Sequence, residues 1–150
     1  MPATAVKPYH HGDLRRALVT AATELAAAGG SEGVALREAA RRIGVSPSAA
    51  YRHFPSRDGL LAHVGSEARE ALAQRMLAAT TGIRGSSPRS ARARFRATGR
   101  AYIEFALDEP GLFEVAFRRC PPALYVPDDP SPYAVLSDAL DALDRAGLLA

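Results

Sequence analysis

Three adjacent residues, Tyr51, Arg52 and His53, bring a phenol, a guanidinium and an imidazole to the end of a segment, "GVSPSAAYRH", whose other side chains are small. Such groups hydrogen-bond to phosphate oxygens, and arginine also to base edges in a major groove. Ser48 and Ala49, ahead of them, leave the backbone thin enough to sit deep in such a groove. The pattern reads as recognition of a polyanion, not as bond-making chemistry. For the latter the sequence offers little: no Gly-rich phosphate loop, no paired cysteines, no evident Ser–His–Asp arrangement, and no histidine after His63. His10 and His11 have no Cys or acidic partners at ligand spacing, so no metal site is expected. The reading implies a protein that is not an enzyme and carries no cofactor. A small helical ligand carrier or enzyme without DNA binding is the competing reading.

Two short helices must cross closely to present these side chains. Leu36, Ala39, Ala40 and Ile43 follow an i, i+3, i+4, i+7 pattern and predict a helix over Leu36–Ile43. Gly44 can stop it in the left-handed conformation. Ser46 then reads as an N-cap and Pro47 as the first residue of the next helix, which ends near Phe54-Pro55. This is a helix-turn-helix. Ala40 lets the second helix approach, Ile43, Val45 and Ala50 seal the space between, and Phe54 falls on the inner side.

A helix from about Asp13 to Ala28 precedes the pair, capped by Asp13 and striped by Leu14, Leu18, Ala21, Ala22, Leu25 and Ala28. Ser56 caps another, reaching about Thr80, with Leu60, Leu61, Val64, Ala68, Leu72 and Met76 inward. A linker, Thr80 to Ser90, leads to a helix over about Ser90–Leu107. A short helix opens at Pro110, and a Pro-rich loop follows it. The last helix starts at Ser131-Pro132, with Tyr133, Leu136, Leu140 and Leu143 on one stripe opposite Asp138, Asp141 and Asp144, and Gly147 closing it. The expected fold is all-α: an arm (1–12), a three-helix helix-turn-helix domain (13–58), a connecting helix (59–81), and an incomplete helical domain (88–150).

Composition agrees. Of 150 residues 47% are apolar, enough for a packed core, and Ala and Leu outnumber β-branched residues. The single cysteine, Cys120, excludes an internal disulfide and suits a reducing cytosol. No apolar run approaches the ~18 residues of a membrane span, and the N-terminus lacks a signal-peptide core. A soluble, cytoplasmic protein with no membrane partner is expected. Net charge is +3, and the excess lies in residues 1–64, with 8 Lys+Arg against 5 Asp+Glu. That asymmetry suits a polyanion. The run Arg84, Arg89, Arg92, Arg94, Arg96 and Arg100 has no acid between Glu70 and Glu104 and reads as a solvated helix face.

"LREAARRIGVSPSAAYRHFPSRDGLL" resembles the DNA-binding domain of the TetR (tetracycline repressor) family of bacterial regulators, and "YHHGDLRRALVTAATELAAAGG" its first helix. "YHHGDLR", "YRHFPSRDGLL" and "GRAYIEFALDEPGLFEVAF" resemble the branch with a WHG-type ligand-binding domain. The likeness covers residues 9–64 and, more softly, about 95–118. It implies a homodimer on double-stranded operator DNA, a small-molecule effector of unknown identity, and a repressor that the effector releases. It places Pro47, Ser48, Ala49, Tyr51 and Arg52 on the recognition helix and gives Tyr51 and His53 phosphate contacts. Arg57 stands where the family usually has Lys at the start of the fourth helix, a place for a phosphate clamp. Arg37 opens the second helix, and Lys7 adds a backbone contact from the arm. Phe95, Tyr102, Phe105, Phe113 and Phe117 are candidates for an effector pocket, and some of them are expected in the core instead.

The chain departs from the family at three places. Ala35 replaces a capping Ser or Thr, and Ala39 a bulkier Ile or Val. The sequence also stops at "DALDRAGLLA", where the family continues with helices that carry the WHG signature and most of the dimer interface. A piece of a longer protein is expected, rather than one with a reduced dimer surface.

Overall fold

Four of the helices begin on a serine whose Oγ accepts the amide three residues on: Ser46 from Ala49 (3.2 Å), Ser56 from Gly59 (3.1 Å), Ser87 from Ser90 (3.2 Å) and Ser131 from Ala134 (3.1 Å). Each bond satisfies one of the amides that a helix start leaves without a partner. Pro47, Pro88 and Pro132 follow three of these serines, at the position where a missing N–H does no harm.

The computed structural model describes residues 11–149. Among them run α1 (His11–Gly29), α2 (Leu36–Ile43), α3 (Pro47–His53), α4 (Arg57–Thr80), α5 (Pro88–Asp108), α6 (Pro110–Ala116) and α7 (Pro132–Arg145). Short 3-10 turns lie at Ser31–Gly33 and Pro122–Leu124, and no strand occurs among the described residues. The all-α expectation holds. Two boundaries shift. Asp13 sits inside the first turn of α1 rather than before it. The fifth helix starts two residues early, because Ser87-Pro88 is a better cap than Ser90.

The core has two clusters. Leu18, Ala22 and Leu25 of α1, Leu36 and Ala40 of α2, Ala50 and Phe54 around α3, and Leu60 and Val64 of α4 form the first, together with Val115 of α6. Leu72 and Met76 of α4, Ala101 and Phe105 of α5 and Val135 of α7 form the second. Leu112 of α6 packs against both. Thus α4 and α6 run through both clusters, and α4 carries its expected inward stripe throughout.

The last helix departs from expectation. Val135, Ala139 and Leu143 face inward, while Tyr133 is 81% exposed and Leu136 and Leu140 face out. Both stripes have helical spacing, so periodicity alone does not choose between them. The small Ala139 lets α7 lie close on its neighbours. In the linker, Arg94 donates Nη2 to the carbonyls of Ile83 (3.0 Å) and Gly85 (2.7 Å), which straps this Gly- and Ser-rich segment to α5. The other arginines of that run are exposed.

Candidate nucleic-acid interface

Gly44 has φ 74°, the left-handed conformation that ends α2. Its N–H returns to Arg41 O at 3.2 Å, and Val45 N to Ala40 O at 3.0 Å, so the chain turns within two residues. α3 then buries Ala50, with Phe54 beyond its end 2% exposed, and turns Ser48, Tyr51 and Arg52 to solvent. Ala49 and His53 flank that face, half-buried, and Pro47 opens the helix. The structure therefore brings these residues together on one convex face. Arg37 stands exposed one residue into α2, and Ala35 ahead of it makes no side-chain cap.

The guanidinium groups nearby differ in their freedom. Arg41 grips Glu38 through Nε and Nη2, both at 2.8 Å, and Arg42 adds a 3.4 Å contact. The hydrogen bond from Arg41 holds the Glu38 carboxyl down at about 2. Arg42 also lies 3.7 Å from Glu24. Arg37 and Arg52 make no hydrogen bond or ion pair among the described residues. Lys7, with Tyr9 and His10 of the arm, lies outside the described residues.

Arg57 also has a task inside the protein. Its Nε donates to Val34 O at 2.8 Å and its Nη2 to Ser31 O, so the group staples the turn ahead of α2 to the start of α4. Two of its donor nitrogens thus point into the protein, while the residue stays exposed. Arg57→Lys keeps the charge but cannot fill both carbonyls in the fork geometry. It is expected to lower stability by about 2 kcal/mol, the scale of a charge-assisted hydrogen bond, measured by urea unfolding.

A second internal tie was not legible in the sequence. Arg15 of α1 donates Nη1 to His53 O at 2.9 Å, meets His63 Nε2 at 2.8 Å, and lies 4.4 Å from the centroid of the Phe54 ring. The His63 and Phe54 rings meet edge to face at 5.4 Å. Arginine only donates, so His63 must accept at Nε2 and carry its proton on Nδ1. Burial first, and the Arg15 charge second, push the His63 pKa below the ordinary value. The unfolded chain therefore binds this proton more readily than the folded one. Stability from this site is full above about pH 6.5 and falls as the pH drops below it. The melting temperature should fall between pH 7.5 and pH 5 by less in His63→Gln, which accepts the same hydrogen bond without titrating, than in the wild type.

The five candidate pocket aromatics do not form one site. Tyr102, Phe113 and Phe117 cluster with centroids 4.9 to 6.0 Å apart. Phe105 is buried in the second core cluster, and Phe95 lies on an outer face of α5 beside Gly99 and Ile103. Residues ten apart on a helix differ by roughly 80° in direction even before packing intervenes. A cavity of about 480 Å³ opens instead between α4, the end of α6 and the 117–131 segment, and of the five only Phe117 lines it.

An all-helical chain that presents a capped seven-residue helix beyond a glycine turn is a helix-turn-helix protein. Residues 18–64 of the chain match the family of bacterial regulatory proteins named tetR. It is a DNA-binding transcription regulator by class. A protein of unknown function from Rhodococcus sp. RHA1 is similar over 93% of this chain and 69% of its own, at 31% identity and a TM-score of 0.64. A candidate tetR family transcription regulator from Shewanella sp. PV-4 aligns over 88% of this chain and 64% of its own, at 18% identity and a TM-score of 0.49. No curated protein matches the chain. Among the described residues no helix is long and apolar enough to cross a membrane.

Proposed function

We propose that the chain acts as a sequence-specific repressor on double-stranded operator DNA, as a cytoplasmic homodimer that a small-molecule effector releases, and that it is of the WHG-type branch and not an enzyme. The observation that supports this best is the outer face of α3: Ser48, Tyr51 and Arg52 exposed on a helix whose opposite side buries Ala50 against the core. A seven-residue helix held this rigidly and thinned by Ser48 and Ala49 has the shape of a major-groove reader. Arg52 supplies base-edge or phosphate contacts, Tyr51 and His53 phosphate contacts, and Arg37 a further contact from α2. Lys7 would reach the backbone from the arm. Arg57 ties the turn ahead of α2 to α4 through two donors, and its remaining N–H groups supply the phosphate contact at the start of α4.

Electrophoretic shift on the DNA upstream of its own gene tests the reading. Binding should weaken steeply with salt through counterion release. Arg52→Ala or Ser48→Ala should narrow the gap between operator and mutated operator by about 1–3 kcal/mol per good base contact. Discrimination intact in both variants would show that α3 does not read sequence.

A further inference from the structure

We infer that the cavity between α4 and the 117–131 strap binds a small apolar anion, in class an aromatic carboxylate, and that α6 carries its occupancy to α2. The walls are apolar and aromatic: Leu61, Val115, Phe117, Tyr125 and Tyr133. Its volume of about 480 Å³ suits a ligand of one or two rings. Three charged groups reach the lining. Arg69 and Asp128 neutralise one another: Nε meets Oδ1 at 2.6 Å, and the other two nitrogens go to Ala116 O (3.0 Å) and Val126 O (2.9 Å). Arg118 touches Asp58 through Nη2 alone, at 3.0 Å, with both side chains partly exposed. A pair that open to solvent holds weakly. The charge left available to a ligand is therefore the Arg118 guanidinium, and it selects an anion.

One short helix, α6, joins the cavity to the turn ahead of α2, beside Leu61 and Ala62 of α4, which also line it. Val115 and Ala116, at the end of α6, form its wall. Directly before them, Glu114 accepts from Ser31 N at 2.6 Å and from Ser31 Oγ at 2.9 Å. Ser31 O accepts in turn from Arg57, which also holds Val34 O two residues before α2. The other end of α6 is seated on α1 at Gly111, where even a Cβ would collide with Ala26 O. A ligand that displaces Val115 and Ala116 must therefore shift Glu114, and with it the turn that sets the angle of α2 and α3. Glu114 acts here as a positioning residue. This second half rests on the proposed DNA binding.

Calorimetry on the full 150-residue chain, without DNA, separates the two halves. Biphenyl-4-carboxylate should bind about tenfold more tightly than biphenyl-4-carboxamide, the scale of one charge-assisted contact. Arg118→Met should erase most of that preference, while Arg92→Met on α5 should keep it. Amide NMR shifts on binding should centre on residues 115–133. Equal affinity for acid and amide, a preference that survives Arg118→Met, or shifts centred elsewhere would each overturn the site. For the coupling, the carboxylate should weaken binding to upstream DNA in the wild type. Glu114→Gln removes one of the two acceptors at Ser31. It should bind the probe as the wild type does and lose the effect on DNA. An undiminished effect would overturn the route through α6. A chain that binds no DNA in any form would remove the coupling together with the regulator reading, and the probe arms would still decide the cavity.

Discussion

Gly111→Ala is expected to lower folding stability by about 3 kcal/mol, the upper end of what overpacking a tight contact produces. Alanine is ordinarily the better helix residue by up to about 1 kcal/mol, so a local view of α6 (Pro110–Ala116) expects the opposite sign. The tertiary contact decides it. The Cβ at Gly111 would fall inside van der Waals contact with Ala26 O, 2.9 Å from Ala27 O and 3.1 Å from Gly30 N. These are backbone atoms at the end of α1, and they cannot rotate out of the way. Either α6 backs off from α1, opening the space under Leu112 and Val115, or the end of α1 unwinds. Moving α6 also strains the Glu114 bonds to Ser31. For a chain of this length the loss corresponds to a melting temperature lower by roughly 10 °C. Circular dichroism on heating checks it, and a rise in melting temperature would mean that α6 is not seated on α1.

Arg69→Met should destabilise the chain by about 3–5 kcal/mol, the range for stranding one member of a buried ion pair. Asp128 is 2% exposed at its side chain, Arg69 17%. Without the guanidinium, the carboxylate keeps only a 3.5 Å contact to the Tyr125 hydroxyl. The Ala116 and Val126 carbonyls lose their donor too, and the Tyr125 ring, 5.5 Å from the guanidinium carbon, loses its cation. The 117–131 strap contains a single 3-10 turn, so this cation is its main fastening to α4, with Ser66 Oγ on Pro127 O at 2.9 Å as a second. Limited proteolysis should accordingly cut the strap sooner in the variant. Adding Asp128→Asn to Arg69→Met should recover a large part of the loss, because the stranded charge is then gone. Equal stability of single and double variants would show that the carboxylate is not held by Arg69.

The sequence announced the helix-turn-helix well because its signals are local. A serine cap acts three residues away, Pro47 fixes its own φ, and Gly44 turns the chain where it stands. The i, i+3, i+4, i+7 run from Leu36 to Ile43 names its own buried face. The candidate ligand region was less legible. The aromatics of α5 and α6 divide between core and surface, with Phe105 buried and Phe95 facing outward, and their spacing does not say which does which. On α7 periodicity does not name the buried stripe: Leu143 lies inward as expected, but Tyr133, Leu136 and Leu140 satisfy helical spacing as well as Val135 and Ala139 do. Arg57 stands at the start of α4 as its spacing predicts, and its two bonds to the carbonyls of Val34 and Ser31 carry no local mark in the sequence.

The difference between what the two levels decided is one of range. Caps, turns and apolar periodicity are set by forces within a few residues, so the sequence by itself determined the helices, the helix-turn-helix and the face of α3. The ties of Arg15 to His53 and His63, Ser31 to Glu114, and Arg69 to Asp128 span 38 to 83 residues. A guanidinium or carboxylate bears no mark of the partner it will find at that distance. Only the packing of α1, α4 and α6, driven by burial of the two clusters, brings those groups within hydrogen-bond reach, and with them the cavity that the sequence did not disclose.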